Sequence, residues 1–95
     1  MSGAVEHDER DNRGVFFIVR DGERIAEMTY SRVSAQLVII DHTEVIPELR
    51  GQGVARQLLD AAVHWARAGN VRLKATCSYV VAQFARDKSI QDVRG

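Results

Sequence analysis

A β-branched and aromatic run, Val15-Phe16-Phe17-Ile18-Val19-Arg20, stops at Asp21-Gly22. The run reads as a strand, and the Asp-Gly pair is a strong hairpin signal, so the next stretch should turn back and pair with it. Over residues 23–30, Ile25, Met28 and Tyr30 are spaced among polar residues roughly as in a half-buried antiparallel strand. A polar turn is expected at 31–34. The long run 36–46 is apolar at its start, as suits a central strand covered on both faces. Its second half, Asp41-His42-Thr43-Glu44-Val45, becomes polar. Polar groups at the end of a buried strand need partners or a cleft, because each unsatisfied one costs about 1–3 kcal/mol.

Pro47 ends this strand. From Gly53 onward Val54, Leu58, Ala61, Ala62 and Trp65 recur at helical spacing with Arg56, Gln57, Asp60 and His64 opposite, which predicts an amphipathic helix to about Ala68. Gly69-Asn70 supplies a left-handed stop, and Arg67 in the last turn suits the helix dipole. Residues 71–76 read as a short strand and 79–88 as a second helix capped by Ser78. The expected order is β-β-β-α-β-α. A strand, helix, strand unit makes 36–46 and 71–76 parallel neighbours, so the fold class is α/β (α+β) with a mixed, mostly antiparallel sheet.

Composition narrows this picture. With 95 residues, 45% of them hydrophobic and 27% charged, the chain suits one domain over 14–95. Residues 1–13 alternate acids and bases without an apolar core, and read as a disordered leader with no secretory signal. Thirteen Lys+Arg balance thirteen Asp+Glu, so no basic field favours nucleic acid. The longest aliphatic run, Leu37-Val38-Ile39-Ile40, is far below the roughly 18–20 apolar residues of a membrane span. The single cysteine, Cys77, is easiest to keep reduced, which points to the cytoplasm. One cysteine and scattered histidines do not make a structural zinc site, and no metal is expected.

The chemistry concentrates at Val45-Ile46-Pro47-Glu48-Leu49-Arg50-Gly51-Gln52-Gly53-Val54-Ala55, where a strand gives way to a glycine-punctuated loop and a helix. Two glycines let the backbone approach a ligand closely, and the free amides of the helix's first turn favour a phosphate or pyrophosphate. Such loops also occur as plain turns. No Gly-Lys-Ser/Thr follows, so this is not a P-loop, and the glycine spacing is not that of a dinucleotide fold.

Arg50-Gly51-Gln52-Gly53-Val54-Ala55 resembles the Arg/Gln-x-x-Gly-x-Gly/Ala signature of the GNAT superfamily of acetyl-CoA-dependent N-acetyltransferases. Together with His42-Thr43-Glu44-Val45 and Cys77-Ser78-Tyr79-Val80, it looks like the small, single-domain YidJ/YjdJ-type branch, over residues 14–92. The resemblance implies that the βαβ unit binds acetyl-CoA. The backbone of Arg50, Gly51, Gln52, Gly53, Val54, Ala55 and Arg56 would hold the pyrophosphate, and the Val45, Ile46 and Pro47 edge would pair with the pantetheine arm. That arm would lie between diverging parallel strands and use backbone groups left without sheet partners.

Acetyl transfer to an amine needs a base for the ammonium proton and a donor for the departing thiolate. His42 and Glu44, two apart on one strand face, are the candidate bases, against the plainer reading of a structural histidine and a strand-end salt bridge. The family's usual tyrosine acid falls near Ala85 or Arg86 here, and Tyr79 sits nearer the place of an early asparagine, so Tyr79 is read as coenzyme-binding. Cys77 precedes the second helix, whose amino terminus favours a thiolate; it reads as an acyl-accepting nucleophile, a coenzyme-pocket wall or plain core. Trp65 and Phe84 read as core, while His7, His64, Arg86 and Lys88 read as solvated. The function expected is acetyl transfer from acetyl-CoA to a primary amine of unknown identity, possibly on a protein. The alternative is a non-catalytic coenzyme-A-binding or partner-binding module.

Overall fold

The computed structural model describes residues 4–95. Five strands, β1 (Glu6–Arg10), β2 (Arg13–Arg20), β3 (Glu23–Ser34), β4 (Leu37–Val45) and β5 (Arg72–Ala75), lie side by side in chain order. Neighbours are antiparallel except β4 and β5, which are parallel and joined through helix α1 (Val54–Gly69). Helix α2 (Ser78–Arg86) follows β5, and a 3-10 segment, Lys88–Val93, closes the described chain. The fold is thus the expected mixed, mostly antiparallel α/β sheet with a βαβ unit, and from β2 onward the elements come in the expected order.

The disordered leader is corrected: Glu6–Arg10 forms an edge strand paired with β2 from Glu6↔Phe17 to Arg10↔Arg13. Residues 1–3 of that segment lie outside the described residues. The turn between β1 and β2 is Asp11-Asn12, with φ of 52° and 66°, matching Asp21-Gly22 between β2 and β3 at 51° and 77°. Asp and Asn tolerate the left-handed region better than other non-glycine residues, which lets a charged segment make a tight hairpin. The polar turn expected at 31–34 is also corrected. β3 runs on to Ser34, and Ala35-Gln36 make the turn. Charge drew the boundary too early, because these residues lie beside β4, where polar side chains stay wet.

The core lies between one face of the sheet and the two helices. Phe16, Ile18, Met28, Tyr30, Val38, Ile40 and Leu73 meet Leu58, Leu59, Ala62, Val63 and Ala66 of α1 and Val80 and Phe84 of α2. The alternate residues Val15, Phe17, Thr29 and Ile39 are only half-buried, so β4 is not covered equally on both faces. A continuous apolar run does not distinguish one covered face from two. α1 stops as expected, with Asn70 at φ 54° and its N–H donating to Ala66 O. At the start of α2 Cys77, not Ser78, is the N-cap residue, and no side chain caps it.

His7 is exposed, as expected, and its ring also belongs to an aromatic cluster that the sequence does not announce. Its ring stacks on Phe16 with centroids 4.1 Å apart and meets Trp65 edge-on at 4.9 Å. Trp65 is half-buried there, packed against the core as its helical position predicts. The Tyr30 hydroxyl lies 2.6 Å from His7 Nε2 and donates to Glu9 Oε1, and Arg32 holds both Glu9 oxygens at 2.6 and 2.9 Å. Since the tyrosine proton goes to Glu9, His7 donates to the tyrosine oxygen through Nε2–H in its neutral form. Burial lowers the His7 pKa, and hydrogen bonds from Arg32 and then Tyr30 bring Glu9 down to about 2.

Both shifts predict acid lability. Neutral His7 is favoured by the fold, so that contribution is intact above its ordinary pKa of 6.5 and is lost as pH falls through the lowered value. The Glu9 contribution is intact above 4.5 and is lost towards about 2. Thermal melts should fall in two stages below neutrality, with His7→Gln removing the upper stage alone. A wild-type melting temperature constant from pH 7.5 to 5 would overturn the His7 part.

Candidate functional site

The junction of β4, α1 and β5 is built by a loss of pairing. β4 and β5 run together from Leu37↔Arg72 to Ile40↔Ala75 and then part. The ladder closes where Thr76 N–H and Cys77 N–H both donate to Ile40 O, at 2.9 and 3.3 Å. Immediately beyond, β4 bulges against β3. Tyr30 faces Ile40 while Thr29 faces His42, leaving Asp41 as the extra residue. Asp41 is held there by Thr29 Oγ1 and Arg13, each at 2.7 Å. The polar half of β4 therefore continues as a strand beside β3 with no neighbour on its β5 side.

The bulge also sets which way the side chains point. Thr43 lies opposite buried Met28, on the helix-covered face; His42 and Glu44 lie opposite Thr29 and Glu27, on the open face. His42 Nε2 is 3.6 Å from Glu44 Oε1, and both side chains are more than half exposed. Cys77 is half-buried, and its thiol donates to Thr43 Oγ1 at 3.2 Å. The structure thus brings His42 and Glu44 together as the spacing implied. It does not bring Cys77 to them: the thiol hydrogen goes to a hydroxyl oxygen, not to a base.

Pro47–Leu49 forms a 3-10 turn, and Gly51 and Gly53 follow with φ of 79° and 80°. Glycine adopts this left-handed backbone without steric cost, which explains both positions. A Cβ built on either glycine would meet nothing within 4 Å, so the space above the loop is open. Gly53 is the N-cap of α1 and supplies no side-chain cap, leaving first-turn amides with the helix dipole behind them. Val45, Leu49, Gly51, Gly53, Val54, Ala55 and Tyr79 line a recess of about 250 Å³ together with Arg50 and Arg56. Burial raises the Tyr79 pKa, keeping the phenol protonated at neutral pH.

The remaining loop residues have local duties. Arg50 Nε donates to Val45 O at 3.2 Å, fastening the loop to the strand, and the Gln52 amide donates to Glu48 O at 3.2 Å. Ile46 N–H is used by Ile25 O at 3.0 Å. The Arg56 side chain is committed to Asp60, Gln83 and Asp87, tying α1 to the end of α2, so its contribution to the recess is backbone. Two residues escaped the sequence reading: Thr43, partner of Cys77, and Glu27, which faces Glu44 across the strands. Neither was legible along the chain: the bulge at Asp41 was needed to turn Thr43 to the covered face, and pairing register for Glu27.

The recess and the parted strands fit what coenzyme A asks for: open space over two glycines, free amides at a helix start, and strand backbone without a partner. Comparisons with known proteins agree with this geometry. Residues 15–93 match the family described as GCN5-related N-acetyl-transferase. Protein NATD1 of Bos taurus is 35% identical over 77 residues, 80% of this chain; the chain spans 66% of that relative's length. The solution structure of a GCN5-like protein from Staphylococcus aureus is 37% identical, with a TM-score of 0.73 over 95% of this chain and 87% of that one. A GNAT family acetyltransferase from Elizabethkingia anophelis, solved with acetyl-CoA bound, shares the fold at 17% identity, with a TM-score of 0.57 over 65% of this chain and 41% of that one. With the glycine loop, the strand parting and these matches in agreement, the chain belongs to the GCN5-related N-acetyltransferase family.

Proposed function

We propose that this chain is an acetyl-CoA-dependent N-acetyltransferase acting on a primary amine, in a single domain of the small YidJ/YjdJ-type branch working in the cytoplasm. The observation that carries the reading is the parting of β4 from β5 at Ile40 and Ala75 directly beside the uncapped start of α1. The GCN5-like Staphylococcus aureus protein, matched over 87% of its length, supports the small branch. The lone half-buried thiol suits a reducing compartment. Among the described residues no helix is long and apolar enough to cross a membrane.

Acetyl-CoA, when bound, supplies the acetyl group as a thioester, so that transfer makes a C–N bond, breaks a C–S bond and releases a thiol. The first-turn amides of Val54, Ala55 and Arg56 and the backbone of Gly51 and Gly53 hold the anionic end, and Val45 offers strand backbone. His42 takes the ammonium proton on the open face, and Glu44 beside it stabilises the imidazolium that forms. Because β4 has no β5 neighbour past Ile40, an acceptor at His42 and a coenzyme on the side of Thr43 and Cys77 would approach from opposite sides of the sheet. Thr43 accepts the Cys77 thiol hydrogen and keeps its own hydroxyl hydrogen for a departing thiolate. Direct attack by the amine fits better than a Cys77 acyl-enzyme, because the Cys77 sulfur is bonded to Thr43 and no base has been brought to it.

Titrating the protein with acetyl-CoA should move amide resonances over residues 45–56. Gly53→Ala should weaken that binding: a left-handed alanine costs about 1–2 kcal/mol, and its methyl enters the space the pyrophosphate needs. No shifts in that segment at millimolar ligand would overturn the reading. Coenzyme binding without turnover across a broad amine panel would favour a binding module instead.

A further inference from the structure

The edge of the sheet farthest from β5 is built from two strands of opposite character. β2 holds Gly14-Val15-Phe16-Phe17-Ile18-Val19, six uncharged residues of mostly high β propensity without proline, the composition of a segment that pairs with its own kind when its edge is bare. β1, Glu6-His7-Asp8-Glu9-Arg10, is charged or titratable at every position and covers that edge from Glu6↔Phe17 to Arg10↔Arg13. It pairs with no other strand, and none of its residues belongs to the buried core. The Asp11-Asn12 turn behind it has both residues at positive φ without a glycine, a costlier turn than Asn-Gly. Beyond its ladder β1 is fastened by Val5 packed against the core, by His7 on Phe16 and Trp65, and by Glu9 held by Tyr30 and Arg32.

We infer that β1 is a releasable cover strand, and that the edge of β2 it leaves bare pairs with β2 of a second copy of this chain. A bare edge is a row of unpaired N–H and C=O groups, a template for another strand. The charges of β1 discourage such pairing at its own outer edge, whereas β2 carries none between Arg13 and Arg20. The far edge is guarded differently: β5 carries Arg72 and Lys74, and its Leu73 O is taken by Gly95 N–H at 2.7 Å. A second β2 is the occupant because antiparallel pairing about Phe16 is self-complementary. Val15 then meets Phe17 of the other copy on the open face and Gly14 meets Ile18 on the covered face, so apolar side chains neighbour one another on both sides. The helices of both copies lie on the same side of one continuous sheet. The core and the β2–β3 ladder stay intact, since β1 contributes to neither.

The test loosens the fastening in the whole chain at pH 7.5 and reads hydrogen exchange and molecular mass in solution. Glu9→Gln removes the charge that Arg32 grips, and His7→Gln with Glu9→Gln removes both fastenings. In either variant the β2 amides of residues 13–17 that face β1 should exchange roughly 10–100-fold faster, as expected for lost charge-assisted bonds, while the amides of Leu58 and Leu59 in α1 keep their wild-type rates. The double variant should also dimerise at concentrations where the wild type is monomeric. Val19→Lys lies beyond the end of the β1 ladder at a residue 36% exposed, and pairing about Phe16 sets it against Arg13 of the other copy. Added to the double variant, it should restore the monomer while exchange at 13–17 stays fast. Exchange that accelerates in β2 and α1 together would overturn the inference, since β1 would then leave only with the whole fold. So would a double variant that stays monomeric with its β2 amides exposed, or association that Val19→Lys does not reduce.

Discussion

His42→Ala is expected to lower acetyl transfer by about 10²–10⁴-fold once an acceptor is supplied, the usual contribution of a positioned base. The side chain is more than half exposed, so this loss should come with an unchanged melting temperature and unchanged coenzyme affinity. Glu44→Gln should cost less, because Glu44 acts through the histidine and can still offer a hydrogen bond. Cys77→Ala separates the two chemistries. Under direct transfer most of the turnover survives, since the thiol's bond to Thr43 supplies no base. Under an acyl-enzyme it is abolished, and the wild-type protein incubated with acetyl-CoA alone would gain one acetyl mass. Full activity in His42→Ala would reassign the base.

The second large effect is on folding. Gly14 is buried in β2 directly beneath the Tyr30 ring, and a Cβ there would fall within the van der Waals envelope of the ring carbons and hydroxyl. Tyr30 is fully buried, and its hydroxyl is tied to His7 and Glu9, so the ring cannot yield without breaking those bonds. Gly14→Ala should therefore destabilise the chain by about 2–3 kcal/mol, at the upper end of overpacking costs, lowering the melting temperature by roughly 10–20 °C for a domain of this size. Gly22→Ala is the comparison. That glycine has φ 77° but open space around it, so only backbone strain opposes the methyl and the loss should be about 1–2 kcal/mol. If the two variants melt alike, the Tyr30 contact is not what fixes residue 14.

These two sites differ in how far the sequence revealed them. His42 and Glu44 could be paired on paper, because side chains two apart in a strand share a face whatever that strand packs against. The glycine loop was equally legible, since two glycines before an amphipathic helix need no tertiary partner to mark a strand-to-helix turn with free first-turn amides. Gly14 gave no such sign: what fixes it is a ring on a neighbouring strand, 16 residues further along the chain. The edge strand Glu6–Arg10 was missed for a related reason. Its side chains are charged and mostly exposed, so its place comes from pairing with β2 and from His7 entering the cluster of Phe16, Tyr30 and Trp65. Only the Asp11-Asn12 turn hinted at it.

Local periodicity and turn chemistry determined the succession of elements from β2 onward, the helix limits to within a residue or two, and the glycine loop at the start of α1, because each depends on neighbours within about one turn or one hairpin. Tertiary structure decided which residues meet across that framework. The bulge at Asp41 turned His42 and Glu44 to the open face and Thr43 to the helices. The end of β4–β5 pairing at Ile40 opened the gap between them, and strand register set Glu27 against Glu44. Register and bulges are fixed by how two distant segments fit together, and a one-residue slip exchanges the two faces of a strand, so no window along the chain contains that information.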